Sequence, residues 1–281
     1  MSFDVITADG DFVTANAQKN PDLFWALKGG GPGAYAVVIS VTFKTFPERR
    51  SAGASLFINA TLTTNETLFW EGVRIFHSYS NTYVDNGLYV LFSIGPGRLR
   101  VLPWVAFNQT AAQLDAILAP VKAALTAVGV PFWSDPAKEY STFFDLYLDL
   151  FEDEMAGPPQ LTSGWTFSRT DVAANNDGIV EAFKLALSPR ADLNNTGYVL
   201  GHIFNVGHNV PVPNSATNPR FRDSSDLTLY LVPLPTNATL AETADRQHVL
   251  SNIIDQAMME AGPSGCAYIN EVSNLGSSVP G

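Results

Sequence analysis

Four glycines within five positions form the most distinctive candidate ligand site of the sequence. Gly29, Gly30, Gly31 and Gly33 directly follow the segment "NPDLFWALK". Backbone without side chains lets its N–H groups approach a ligand closely or form a concavity that binds an anion. A plain connection at the end of a helix normally needs only one glycine. The pattern therefore favours a loop that contacts a ligand through its backbone over a simple turn.

The elements around the glycines exclude two familiar phosphate-binding loops. Asn20 as N-cap, Pro21 at the first helical position, Asp22 in the first turn and Lys28 at the end predict a helix before the loop. The alternating, β-branched run over 34–46 predicts a strand after it. A Rossmann fingerprint has the reverse order, and a Walker loop needs Lys-Ser or Lys-Thr after its glycines. The loop fits neither pattern.

Two side chains on predicted strands are candidates for proton transfer. The stretch 197–208 alternates, which places His202 on the same face as His208. These two histidines lie about 20 Å apart along an extended strand, so they cannot share a metal ion, and no metal site is predicted. Tyr230 lies in a second alternating stretch, "DLTLYLVPL". The alternative that each is an ordinary core or rim residue with a satisfied polar group stays open.

Hydrolase chemistry finds little support in the sequence. The acids of "FEDEM" at 151–155 follow a periodic segment and indicate a solvated helix end or loop, not two carboxylates in a rigid cleft. No Gly-x-Ser-x-Gly elbow occurs. The single cysteine, Cys266, permits neither an intramolecular disulfide nor a multi-cysteine metal site.

The elements that must position the candidate residues alternate between strands and amphipathic helices. Hairpins with interspersed helices predict an α+β fold, in which helices cover one face of an antiparallel sheet. Capping boxes at Thr110/Gln113 and Thr239/Glu242 mark two helix starts. The predicted strands lie at 53–62, 161–170, 197–208 and 226–233, a two-stranded hairpin is predicted over 87–107, and the predicted helices lie at 64–84, 110–128, 176–188 and 240–261.

The segment "ADGDFVTANAQKNPDLFWALKGGGPGAYAVVISVTFKTFP" resembles the end of a known FAD-binding domain. It is similar to that of the vanillyl-alcohol-oxidase and p-cresol-methylhydroxylase superfamily, especially its berberine-bridge-enzyme-like oxidases. Ala36 and Ser40 stand where that family usually has Gly and Thr. Two later stretches, "NPRFRDSS" and "GCAYINEV", resemble the family's substrate domain and the motif that returns the chain to the flavin.

The resemblance implies FAD as cofactor, a small-molecule alcohol or sugar as substrate and molecular oxygen as electron acceptor. Oxidases of this family often use a tyrosine or an acid on the sheet to deprotonate the substrate hydroxyl, so the resemblance makes Tyr230 a catalytic candidate, beside His202 from the strand pattern. The implied cofactor contacts, mostly through the backbone, are Gly29, Gly30, Gly31, Gly33, Val37, Val38, Tyr268 and Asn270.

The same resemblance predicts the domain organisation. Residues 1–50 correspond to the last part of the flavin domain, 51–263 to the substrate domain and 264–281 to the start of a C-terminal segment. The N-terminal half of the flavin site, with the His and Cys that tether FAD in many members, has no counterpart. We therefore expect the chain to be an internal piece of a longer protein or the product of a shortened gene, and to bind FAD poorly by itself.

Composition limits the partners. With 27 acidic against 16 basic residues, the surface repels a polyanion, so no nucleic-acid partner is expected. No apolar stretch approaches the length that spans a bilayer. Asn-x-Thr sequons at Asn59, Asn65, Asn108, Asn194 and Asn237 favour a secreted protein. Besides the oxidase, two classes stay open: a non-catalytic remnant of the flavin family that binds a partner, and a hydrolase or lectin-like secreted domain.

Overall fold

Two antiparallel sheets organise the chain. The computed structural model describes residues 1–63, 65–151, 159–194, 196–207, 210–211 and 213–268. A three-stranded sheet has the order β2-β1-β3, and an eight-stranded sheet has the order β7-β4-β6-β5-β10-β11-β9, with β8 paired to β4. The strands are β1 (Ser2–Ile6), β2 (Phe12–Ala15), β3 (Val37–Thr42), β4 (Ser51–Asn59), β5 (Leu88–Gly95), β6 (Arg98–Phe107), β7 (Phe132–Trp133), β8 (Lys138–Tyr140), β9 (Gln160–Ser168), β10 (Tyr198–Ile203) and β11 (Ser224–Pro233).

The helices lie mainly on one face of the eight-stranded sheet. They are α1 (Pro21–Leu27), α2 (Ala60–Thr63), α3 (Glu66–Ser78), α4 (Ser80–Asp85), α5 (Ala111–Ala127), α6 (Phe143–Leu150), α7 (Arg169–Leu187), α8 (Leu240–Val249) and α9 (Asp255–Ala261). A π-helical turn, Leu250–Ile254, joins the last two. The predicted α+β fold is confirmed, with helices covering an antiparallel sheet.

Local sequence signals account for most helix starts. Both predicted capping boxes form, because Thr110 and Thr239 accept a bond from the N3 backbone while the N3 side chain accepts one from the cap. A third box, Ser168 with Asp171, opens α7. Asn20 occupies the N-cap position of α1 in a left-handed conformation, but its side chain donates to the Thr14 carbonyl and makes no capping bond.

The main core lies between the helices and one face of the eight-stranded sheet. Side chains at alternate strand positions point into it, as in Val90, Phe92 and Ile94 of β5. From the helix side, Phe76 of α3 packs edge-on against Phe92. The residues between these positions point to the opposite face of the sheet. Helix α6 covers the β4 end of that face, where Leu146 and Leu150 contact Gly53. The remainder of this second face, over β5, β10, β11 and β9, is called the open face below.

A surface ion-pair network ties α8 to the segment before β10, and it gives a pH prediction. Hydrogen bonds from Arg190 lower the pKa of Asp192 to about 2 and also lower the pKa of Asp245. A carboxylate with a depressed folded pKa stabilises the fold above its unfolded pKa, and this contribution is lost as pH falls through the folded value. We therefore expect the thermal midpoint to fall between about pH 4 and pH 2.

Substituting Arg190→Gln tests this. The variant is expected to lose part of that acid-dependent drop in thermal midpoint, followed by circular dichroism, because both carboxylates then titrate nearer their unfolded pKa. Arg49→Gln changes an exposed arginine outside the network and serves as the control. Parallel pH profiles for wild type and Arg190→Gln would contradict the assignment.

Candidate functional site

The glycine loop is shaped by its contact with a distant segment. A Cβ added at Gly29 would lie 2.2 Å from Thr217 Oγ1, and one at Gly30 would lie 2.6 Å from the Ala26 carbonyl oxygen. Two hydrogen bonds hold the distant segment, residues 214–217, against the loop. Lys28 Nζ donates to the Asn214 carbonyl at 2.6 Å, and the Ala216 amide donates to the Trp25 carbonyl at 3.2 Å. Packing against the distant segment therefore requires glycine at position 29, whereas close approach to the preceding helix requires it at position 30.

The later part of the loop fits a ligand contact better. Gly31 has a φ of 81°, in the left-handed region. A Cβ at Gly33 would meet no atom within 4 Å, and Val37 is 64% exposed, so the backbone here is open to an approaching molecule. Val38 turns its side chain into the small core with Phe3 and Val5. Gly31, Gly33 and Val37 therefore fit the implied FAD contact through their backbone.

Gly29 and Gly33 form a matched pair for a stability test. Gly29→Ala places a Cβ in the left-handed region, at a φ of 102°, and against Thr217. We expect it to lower the free energy of unfolding by about 2 kcal/mol or more, because strain and overpacking add. Gly33→Ala, with open space, is expected to stay within about 0.5 kcal/mol of wild type. Urea unfolding measures both, and equal effects would show that Thr217 does not set the requirement for glycine.

His202 lies on the open face and is hydrogen-bonded to a tyrosine on the neighbouring strand. Strand pairing places His202 opposite Leu91 of β5 and Leu227 of β11. The Tyr89 hydroxyl lies 2.9 Å from His202 Nδ1, and both side chains are half-buried. A phenol and an imidazole at this distance can pass a proton between them. His208 lies outside the described residues.

Tyr89 is a functional candidate that the sequence reasoning missed. It belongs to the predicted hairpin, yet nothing in that hairpin singles it out. Its alternation with the buried Leu88 and Val90 indicates the uncovered side of β5, but its partnership with His202 depends on strand register across β5 and β10. The sequence therefore indicated which side of the strand Tyr89 occupies, but no motif marked it as a functional residue.

Tyr230 lies on the opposite face from His202. Its side chain is 1% exposed and its hydroxyl donates to Asp255 Oδ1 at 2.6 Å, under the helices. Burial and the neighbouring carboxylate raise the pKa of Tyr230 well above its ordinary value, and burial also raises the pKa of Asp255. Tyr230 was predicted as a base that faces the substrate. Its position does not fit that role, because its hydroxyl is buried in a hydrogen bond that joins the sheet to α9.

The second implied flavin contact is only partly described. The Tyr268 ring lies 5.8 Å from that of Phe221, at the β9 edge of the open face, while Asn270 lies outside the described residues. The preceding segment is fixed to β9, because the Thr166 amide donates to the Cys266 carbonyl at 2.9 Å and the Cys266 amide donates to Thr166 Oγ1 at 2.8 Å. Burial raises the pKa of the Cys266 thiol.

A buried polar pair lies under the sheet, among the helices. His77 Nε2 is 3.0 Å from Asp226 Oδ2, and its Nδ1 is 2.7 Å from Asn176 Oδ1. Both members of the pair are at most 1% exposed, and the rings of Phe92, Phe167 and Phe183 surround the imidazole. The pair is shielded from solvent and holds α3 against β11. Among the described residues no cluster of His, Cys, Asp or Glu is arranged to hold a metal ion.

The described helices include none with the length and apolarity needed to cross a bilayer.

The architecture defines an α+β fold with a helix-covered sheet, one uncovered sheet face and a smaller three-stranded sheet. No protein-family model matches the chain. FAD-linked oxidoreductase ZEB1 of Gibberella zeae is 31% identical over 282 residues, which span 96% of this chain and 46% of that protein. FAD-linked oxidoreductase sor8 of Hypocrea jecorina is 30% identical over 279 residues, again 96% and 46%.

Solved structures show the same fold. The VAO-type flavoprotein MtVAO615 of Myceliophthora thermophila superposes with a TM-score of 0.87 at 24% identity, over 99% of this chain and 50% of that one. The chain thus spans about half the length of the curated relatives it matches. It belongs with the FAD-linked oxidoreductases of the vanillyl-alcohol-oxidase type and corresponds to their C-terminal part. The resemblance seen in the glycine segment is confirmed.

Proposed function

We propose that the protein to which this chain belongs is an FAD-dependent oxidoreductase that oxidises a hydroxyl-bearing carbon of a small molecule, with oxygen as electron acceptor. The chain supplies the substrate-facing sheet and part of the flavin site. The observation that carries the proposal is the Tyr89–His202 hydrogen bond on the open face of a chain homologous to FAD-linked oxidoreductases.

The flavin, when bound, supplies the redox chemistry by accepting a hydride. The residues of this chain that fit its binding are Gly33 and Val37, which are exposed, and Gly31, which has a left-handed backbone. Their task is positional, because none of them carries a group that transfers protons. Gly29 and Gly30 have an indirect role, because their lack of side chains lets the loop pack against Thr217 and Ala216.

The protein's own chemical contribution is to remove the hydroxyl proton of the substrate. With His202 protonated on Nε2, its Nδ1 accepts the bond from the Tyr89 hydroxyl. The substrate proton then passes to the Tyr89 oxygen while the phenol proton moves to Nδ1. The transfer leaves the histidine side chain as an imidazolium ion. An imidazole with an ordinary pKa near 6.5 can gain and lose a proton near neutral pH.

Expression of the protein from its complete gene tests the proposal. We expect a preparation with bound flavin that releases peroxide when screened with alcohols and sugars. The 281-residue chain by itself is expected to carry far less than one FAD per chain, because it spans only about half of its relatives. A flavin-loaded protein that reduces its flavin with none of these substrates would contradict the assigned reaction.

Exposed apolar side chains favour a second candidate, a non-catalytic remnant that binds a protein partner. Phe12, Ile39, Phe43 and Phe46 are all exposed on or beside the three-stranded sheet, as is Val37. Exposed apolar side chains on one small sheet are typical of a surface that another protein or domain covers. The discriminating measurement is the flavin content of the product of the complete gene, since a remnant is expected to hold none.

We also propose that the protein enters the secretory pathway. Asn65, Asn108 and Asn237 are exposed, and each lies one to three residues before a helix start, where an attached glycan meets solvent. Intact mass after expression through a fungal secretory pathway, before and after endoglycosidase, tests this. An unchanged mass would contradict the proposal.

A further inference from the structure

We propose that Phe151, which directly follows α6, is a positioning residue that holds the Tyr89 ring so that its hydroxyl meets His202 Nδ1. This role rests on the proposed function, in which Tyr89 and His202 are the proton-transfer pair. Phe151 itself has no group that takes up or releases a proton. Its task is to keep the Tyr89 oxygen at 2.9 Å from the histidine nitrogen.

Two phenylalanine rings contact the ring of Tyr89. Phe151 stacks on it, with ring centroids 6.2 Å apart and planes 23° from parallel, and Phe204 lies at 6.1 Å with its plane tilted by 48°. A side chain on a strand has more than one common χ1 rotamer, and a change of χ1 carries a tyrosine hydroxyl sideways. Tyr89 is half-buried where α6 meets the open face, so its own backbone does not select the rotamer that reaches His202. The stacked ring of Phe151 therefore selects it.

Phe151 is a fixed support because the last turn of α6 is tied to β8. One oxygen of Asp149, Oδ2, accepts a hydrogen bond from Lys138 Nζ at 2.6 Å and another from the Tyr140 hydroxyl. The Phe151 amide donates to the Tyr147 carbonyl at 3.0 Å, and the rings of these two residues stack with centroids 5.1 Å apart. The helix therefore holds both the backbone and the ring of Phe151.

Orientation of the Tyr89 hydroxyl matters more than the apolar area that the two rings bury. Phe151 and Tyr89 are both half-buried and lie outside the main core, in the cluster that packs with Val105 and Leu146 beside α6. Their burial adds modestly to stability, because part of each ring stays in water. A reacting group displaced by about 1 Å, in contrast, can lose about a hundredfold in rate. We therefore expect loss of the Phe151 ring to affect the reaction more than the fold.

Nitrogen-15 NMR of the histidine side chains tests this geometry without turnover. The protein from the complete gene is labelled at histidine, and the signals of His202 are those that His202→Gln removes. At a pH where the imidazole is neutral, Tyr89→Phe is expected to shift the Nδ1 signal, because a hydrogen bond to that nitrogen is lost. Phe151→Ala is expected to shift the signal in the same direction, and Phe151→Tyr, which keeps a flat ring at this position, to restore it.

A matched control lies on the same helix. Phe144→Ala removes another aromatic ring of α6, one that is 62% exposed, and should leave the His202 signals unchanged. If Phe151→Ala loses its native circular dichroism, Phe151→Leu provides the same test, because leucine keeps apolar volume and lacks a flat ring. Wild-type His202 signals in the folded Phe151 variant would overturn the inference.

Kinetics of the flavin-bearing protein separate positioning from a structural role. With the fastest-reacting alcohol or sugar of the peroxide screen, Phe151→Ala is expected to lower kcat about tenfold, with KM within a few-fold of wild type. Phe151→Tyr is expected to recover most of that loss. Wild-type kcat in Phe151→Ala beside a slow His202→Gln protein would overturn the inference. His202 signals that move as expected, in a protein whose kcat His202→Gln does not change, would count against the proposed function alone.

Discussion

Replacing His202 by glutamine is expected to lower kcat of the flavin-bearing protein by about a hundredfold or more, the range that general-base removal usually costs. The side chain lies on the open face and its Nδ1 faces the Tyr89 hydroxyl at 2.9 Å. Glutamine keeps polarity and much of the size but does not take up a proton near neutral pH. The expected change is therefore in kcat, with KM within a few-fold of wild type.

Tyr89→Phe separates the two members of the pair. If they act as one unit, the double variant is expected to lose little more activity than either single variant, because groups that share one proton path are not additive. His248→Gln changes an exposed histidine on α8 and should leave kcat unchanged. Additive losses in the double variant, or wild-type kcat in His202→Gln, would contradict a shared path.

Removing Asp226 is expected to cost about 3–5 kcal/mol of unfolding free energy, the largest stability effect foreseen for the chain. Asp226→Ala leaves the buried His77 Nε2 without its acceptor at 3.0 Å, while Nδ1 still faces Asn176 Oδ1 at 2.7 Å. Neither ring nitrogen has access to water, because the imidazole is enclosed. The urea midpoint, followed by far-UV circular dichroism, measures the loss.

A double-mutant cycle distinguishes a broken pair from a general loss of packing. His77→Phe combined with Asp226→Leu is expected to be less destabilising than the sum of the single variants, since an apolar replacement leaves no unpaired charge. Asp9→Ala, at an exposed turn, is the matched control and should stay within about 0.5 kcal/mol of wild type. An Asp226→Ala protein as stable as wild type would show that the pair contributes nothing.

Alternation along single strands predicted which residues share a face, but not which face is open. His202 and Leu200 share a side of β10 as expected, with Tyr198. Alternation within one strand does not show whether Tyr230 of β11 lies on the same face of the sheet as His202, because that depends on how the two strands pair. Pairing places Tyr230 opposite Val199, a core residue, and so under the helices. The Tyr89–His202 contact, across 113 residues of sequence, was hidden for the same reason.

The glycine loop shows a second limit. Gly29 and Gly30 looked like a backbone platform for a ligand, yet contacts with Thr217 and the Ala26 carbonyl explain why they lack side chains. A tertiary contact across nearly 190 residues leaves no mark in the local pattern. Gly33 is exposed with open space beside it, so this part of the inferred platform remains available to a ligand. The forty-residue resemblance identified the family correctly, whereas spacing alone did not separate packing from binding.

Anaerobic single-turnover reduction of the flavin is the most direct measurement of the central claim, that the open face presents an alcohol to FAD. The protein from the complete gene is mixed in turn with each alcohol and sugar of the peroxide screen, and the loss of the visible flavin absorbance is timed. The account predicts complete bleaching that His202→Gln slows about a hundredfold or more and His248→Gln leaves unchanged. Bleaching at the same rate in His202→Gln, or a loaded flavin that stays oxidised with every alcohol tried, would contradict it.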